Sequence, residues 1–323
     1  MEMIISFLFL ILGVVLVLFG ADKLTDGATG LARRFNVSEM VIGLTVVAFG
    51  TSLPEFVTSF VSALKGSSEI SIGNVIGSNI FNTLFIVGAS AAVCPILIGK
   101  STIQKDIPFG ILASLVLIVM SMDIFLDGAL SNMLSRADGL VLLGFFAVFM
   151  AYTMFMARNT TTIANEEETS EDKPMSYKQI FLYIILGLCG LVFGGDLFVD
   201  SACEIALSAG ISETVVGLTI VAAGTSLPEL ATSIVAAKKG SSAIAIGNVV
   251  GSNIFNIFFV LGACATMSPM AVGGISYIDL SLLLFSVVLL WCFSYSKRKI
   301  ERWEGVVMML IFLIYIGYLV YHA

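Results

Sequence analysis

Two glutamates, Glu55 and Glu229, each follow a proline inside an otherwise apolar stretch. An ionisable side chain at membrane depth costs several kcal/mol unless it is paired or wetted, so each acid marks a functional position. Oxygen-bearing side chains gather around them at helical spacing. Thr51, Glu55, Thr58 and Ser59 share one helix face, and Thr225, Glu229, Thr232 and Ser233 repeat the arrangement. Asn74, Ser78 and Asn82 form a second polar stripe, with a twin in Asn248, Ser252 and Asn256. Carboxylate, hydroxyl, amide and backbone carbonyl are hard ligands that suit Na⁺ or Ca²⁺ rather than thiolate- or imidazole-seeking metals. The one histidine, His322, lies beside the C-terminus, and the five cysteines form no CxxC pair. Histidine-based metal binding and acid–base catalysis are therefore not expected, and the cysteines read as small apolar residues.

The prolines supply backbone ligands too. Pro54 has no N–H and its ring collides with the carbonyl of Gly50, so the helix must break or kink there. Carbonyls around Ala48–Gly50 are expected to lose helical donors and turn towards a cation. Ala222, Gly224 and Pro228 repeat the pattern. Irregular backbone is tolerated in a membrane where it lines a cavity or is buried in protein. Gly73 with Gly77, and Gly247 with Gly251, flank the amide stripes and would let those helices approach the broken ones closely.

These residues belong to a duplication. Residues 43–88 and 217–262 align without a gap at an offset of 174, with 32 of 46 positions identical. The match reaches upstream, pairing Asp22 and Asp26 with Asp196 and Asp200. Two acids in duplicated segments point to one site built between the copies.

The elements that must position this site are membrane helices. The chain has 323 residues, is 58% hydrophobic and 12% charged, and has a mean hydropathy of +1.03. Apolar runs recur throughout, without the alternation a barrel needs. The first run, Met3–Gly20, has no basic leader or cleavage signal and reads as a retained helix. Ten spans are predicted: 3–32, 40–64, 70–97, 107–126, 137–157, 178–207, 212–237, 243–266, 277–295 and 304–321. With both termini outside, thirteen Lys and Arg residues fall on the cytoplasmic side and only Lys65 and Arg136 outside, in accord with the positive-inside rule. Five spans per half is an odd number, so the second copy enters the membrane from the opposite side. The expected architecture is an all-α integral membrane protein of two inverted five-helix repeats, residues 1–157 and 178–323, with helices 2 and 7 broken at the ion site. An acidic cytoplasmic linker, 158–177, joins them and is too short for a regulatory domain. Much of the net charge of −7 sits there.

Charge balance suggests a mechanism. Two ionised glutamates are neutralised by one Ca²⁺ or by two Na⁺. Without ions the site would hold two poorly solvated like charges, so the carrier should cross between states only when loaded. That rule alone yields obligatory exchange.

The paired motifs GTSLPE (Gly50–Glu55, Gly224–Glu229) and GSNIFN (Gly77–Asn82, Gly251–Asn256) resemble the alpha-repeats of the sodium/calcium exchanger family, within the calcium/cation antiporter superfamily. The short central loop resembles its prokaryotic members. The resemblance implies Ca²⁺ held by Glu55 and Glu229 with oxygens of Thr51 and Thr225. It implies Na⁺ held by Ser52, Ser226, Ser78, Ser252 and the carbonyls of Ala48 and Ala222, sharing the glutamates, with Asn82 and Asn256 completing the centre. It further implies several Na⁺ per Ca²⁺, no prosthetic group, no nucleic-acid partner, a multi-pass protein of the cell membrane working as a monomer, and sliding of spans 1 and 6 to alternate access. The chain departs from some members at Asn256, where they carry aspartate.

The nearest rival is a Ca²⁺/H⁺ or other cation/Ca²⁺ antiporter, although its usual repeat motif differs from GTSLPE. A channel would need a continuous pore, often lined by several subunits. An intramembrane metalloenzyme would also need histidine, which no span contains, so an enzyme is not expected.

Overall fold

The computed structural model describes residues 2–160, 175–208 and 222–322. Apolar helices dominate, as the composition requires. They are α1 (Glu2–Phe35), α2 (Glu39–Thr51), α3 (Leu53–Leu64), α4 (Ser68–Val93), α5 (Thr102–Met120), α6 (Arg136–Thr160), α7 (Tyr177–Ser208), α8 (Leu227–Lys238), α9 (Ser242–Met267), α10 (Tyr277–Tyr295) and α11 (Arg302–His322). Among the described residues, eight helices are long and apolar enough to cross a membrane, or nine if α2 and α3 count as one bent span. The opening of the expected span 212–237 and most of the linker lie outside the described residues.

The bend comes from the sequence. Pro54 enters α3 in its first turn, and α2 and α3 diverge by 49° at Ser52. Ser52 sits at φ −85° and ψ 8°, outside the α-helical range, although its N–H still donates to Ala48 O. Ser226 holds a matching conformation, φ −93° and ψ 9°, before Pro228 at the start of α8.

The amide-bearing helices occupy the centre. In their most apolar stretches α9 is 94% buried and α4 72%, against 28% for α1 and α7. Both central helices pass through a π-helical stretch, Phe81–Ile86 and Phe255–Leu261, just beyond the GSN residues. Such widened turns recur at functional sites. The outer helices α1 and α7 pack backbone to backbone: a Cβ at Gly20 would lie 2.6 Å from the Leu191 nitrogen, so no larger residue fits. Gly251 fulfils its expected role, since a Cβ there would sit 2.7 Å from Ala48 Cβ on α2. By the repeat, the counterparts of Gly43 and Leu44 that would face Gly73 and Gly77 are Gly217 and Leu218, which lie outside the described residues.

Two short antiparallel ribbons tie the loops. Strand β1 (Ile96–Leu97) pairs with β4 (Lys299–Ile300), and β2 (Met133–Leu134) pairs with β3 (Met270–Ala271). Each ribbon joins loops that the charge count places on the same side. Sequence periodicity gave no sign of these two-residue strands.

Candidate functional site

Glu55 and Glu229 sit in the first turns of α3 and α8, where unpaired backbone N–H groups favour an anion. Both side chains are fully buried. The Ser52 hydroxyl donates to Glu229 Oε1 at 2.9 Å, and the Ser226 hydroxyl donates to Glu55 Oε1 at 2.8 Å. Each acid is thus held by the serine at the opposite helix break. Ser252 lies 3.5 Å from Glu229 Oε1. Among the described residues no lysine or arginine forms an ion pair with either acid.

Among the described residues, the second carboxylate oxygens, Glu55 Oε2 and Glu229 Oε2, are buried without a hydrogen-bond partner. So are Asn82 Oδ1, Asn256 Oδ1, Ser78 Oγ and Thr225 Oγ1. Ionised carboxylate and amide oxygens only accept, so a donor or a cation must satisfy them. A hard cation matches this oxygen set. Among the described residues no cluster of three or more His, Cys, Asp or Glu side chains could hold a metal. The candidate site draws instead on two acids, hydroxyls and amides.

Other expected ligands have a more particular geometry. The Thr51 hydroxyl lies 3.1 Å from Val47 O and 3.0 Å from Asn248 Oδ1. The Ala48 carbonyl keeps a helical donor, the Ser52 N–H at 3.0 Å, contrary to its expected release by the break. The reason is local: the donor that serves Ala48 O is Ser52, whereas the N–H that Pro54 lacks is the one that would serve Gly50 O. A carbonyl has a second lone pair, so Ala48 O keeps acceptor capacity. Ala222 opens a single helical turn, Ala222–Gly224, before Ser226.

The two ends of each polar stripe differ. Asn74 Nδ2 donates to Ser59 Oγ at 2.9 Å and approaches Glu55 O at 3.4 Å. Asn248 does the same to Ser233 Oγ and Glu229 O, at 3.1 and 3.4 Å. These amides brace the acid-bearing helices, whereas Asn82 and Asn256 present unpartnered oxygens. Sequence reasoning missed Asn79 and Asn253, which hydrogen-bond to Asn256 and Asn82. Their signal was present: each is duplicated and stands three residues before Asn82 or Asn256, one position off the stripe.

Comparisons with known proteins show which family the chain is similar to. The family model for sodium/calcium exchanger protein matches residues 5–155 and 179–321. The putative antiporter CaxA of Alkalimonas amylolytica is 36% identical over 325 residues, covering 98% of both chains. The sodium/calcium exchanger MaX1 of Methanosarcina acetivorans is 32% identical, covering 98% of this chain and 99% of its own. A solved structure of the sodium-calcium exchanger NCX_Mj, soaked with 10 mM Na⁺ and no Ca²⁺, superposes with a TM-score of 0.82 at 36% identity. It covers 98% of this chain and 99% of that one.

Proposed function

Because the chain belongs to the sodium/calcium exchanger protein family, we propose that it exchanges Na⁺ for Ca²⁺ across the membrane by alternating access, the two ions competing for one site on Glu55 and Glu229. The observation that carries this reading is the reciprocal pairing of Ser52 with Glu229 and Ser226 with Glu55 around buried, unpartnered oxygens. Each half supplies an acid and the hydroxyl that holds the other half's acid, so the site belongs to neither repeat alone.

Thr51, Thr225, Ser78, Ser252, Asn82, Asn256 and the carbonyls of Ala48 and Ala222 complete the ligand set in this proposal. The ions are substrates, and no prosthetic group is needed. Ca²⁺ brings both charges needed to neutralise the two acids, while Na⁺ brings one, so more than one Na⁺ must replace each Ca²⁺ if the loaded forms are to stay free of uncompensated charge. The fold reading that accompanies this is ten spans in two inverted halves, 1–157 and 178–323, with spans 2 and 7 broken and linker 158–177 in the cytoplasm. The bend at Ser52 and the matching backbone at Ser226 support it. The protein is taken to act as a monomer in the cell membrane.

The test is purified protein in liposomes with an imposed Na⁺ gradient. Ca²⁺ uptake should follow the Na⁺ gradient and persist when the pH gradient is collapsed. Uptake without Na⁺ that vanishes with the pH gradient would assign the chain to proton-coupled antiport instead.

A further inference from the structure

Asn82 and Asn256 serve a cation only if their oxygens, not their NH₂ groups, face it. An amide can turn over at little steric cost, so something must fix the choice. The hydrogen bonds around it do so, starting from two backbone carbonyls that can only accept.

The first carbonyl is Asn253 O. It accepts from Asn79 Nδ2 at 3.1 Å, which turns Asn79 Oδ1 the other way. That oxygen accepts from Asn256 Nδ2 at 3.1 Å, so Asn256 Oδ1 is left as the buried atom without a partner. The second carbonyl is Asn79 O. It takes the hydroxyl proton of Thr83 at 2.9 Å, so the Thr83 oxygen can only accept. It accepts from Asn253 Nδ2 at 2.7 Å. Asn253 Oδ1 then accepts from Asn82 Nδ2 at 3.2 Å, and Asn82 Oδ1 is left as the second unpartnered atom. All five side chains are buried.

The two chains are not copies. One runs directly from a carbonyl to an asparagine, and the other needs a hydroxyl relay. The repeat explains why: Thr83 corresponds, at the offset of 174, to Ile257, which can neither donate nor accept. We infer that Asn79, Asn253 and Thr83 are positioning residues for ion binding, and that Thr83 is the element that holds the Asn82 oxygen towards the cation. Without its hydroxyl, Asn253 loses its anchor and can turn over. Asn82 is then free to present NH₂, a donor that repels a cation. The inference rests on the reading of Asn82 as an ion ligand.

The experiment uses the full chain in liposomes, with Thr83→Val, Thr83→Ser and Asn82→Ala compared by Na⁺-dependent ⁴⁵Ca²⁺ uptake and by thermal midpoint in detergent. Thr83→Ala replaces Thr83→Val if the latter does not yield folded protein. Thr83→Val should raise the KM for Ca²⁺ about tenfold, the scale of losing a partner behind a ligand. Its midpoint should stay near that of the parent, and Thr83→Ser should restore the parental KM. An unchanged KM in Thr83→Val, with Asn82→Ala impaired, would overturn the role of Thr83 and leave the site reading intact. Equal loss in the Val and Ser variants with a lowered midpoint would show a packing role alone and also overturn it. Unchanged exchange in Asn82→Ala would instead remove the ligand assignment on which the inference stands.

Discussion

The Ser52 hydroxyl donates to the Glu229 carboxylate at 2.9 Å although 177 positions separate the two residues. Ser226 returns the bond to Glu55 at 2.8 Å. A bond from a hydroxyl to a buried charged group contributes about 1.5–3 kcal/mol. Among the described residues, Ser52→Ala would remove the shorter of the two serine contacts to Glu229 Oε1 and leave the long one to Ser252. The expected result is a roughly ten- to hundredfold loss of Ca²⁺ affinity, read as the KM of Ca²⁺ uptake. Ser226→Ala should act likewise through Glu55.

Neutralising either acid should have a larger effect. Glu55→Gln or Glu229→Gln keeps the side-chain shape but leaves one charge where two are needed to balance Ca²⁺. Na⁺-driven Ca²⁺ counter-flow should fall to background, while the variants elute from a sizing column as folded protein. Parental exchange rates in either variant would contradict the proposed site.

Much of this was legible in the sequence because it is written twice. The acids, the hydroxyls and the proline breaks recur at one offset, and their helical spacing places them on common faces. Which side chain meets which was not legible. Ser52 pairs with the acid of the other copy, a consequence of packing that no local pattern encodes. Asn79 and Asn253 escaped because they stand one residue off the stripe and act on Asn256 and Asn82 across the interface. The π-helical stretches and the loop ribbons carry no periodic signal. The Ala48 carbonyl shows a different limit: a proline removes its own N–H, but which carbonyl it frees depends on where the chain leaves the ladder.

Lys239 offers a test of how α1 is held. Its Nζ lies 2.6 Å from both Asp22 Oδ1 and Asp26 Oδ1, joining the end of α8 to the middle of α1. The side chains are about a third exposed, so solvent screens the pair and its worth is about 1 kcal/mol at most. Lys239→Met should lower the thermal midpoint by no more than a few degrees. Lys239→Glu should lower it further, because it places a third acid against Asp22 and Asp26. Midpoints in that order, measured by tryptophan fluorescence in detergent, would establish the contact in solution.

Ion removal should weaken the fold itself. Two buried carboxylates that pair with no lysine or arginine among the described residues repel one another, and a bound cation removes that cost. Ligand bound only by the native state stabilises it by RT ln(1 + [L]/Kd), about 2.7 kcal/mol at a hundredfold excess over Kd. Chelating Ca²⁺ in Na⁺-free buffer should therefore lower the thermal midpoint, and either ion should restore it. In the Glu55→Gln, Glu229→Gln double variant the repulsion and the binding vanish together. Its midpoint should lie above that of the chelated parent and should not respond to Ca²⁺. A double variant that still gained stability from Ca²⁺ would place the ion elsewhere in the protein.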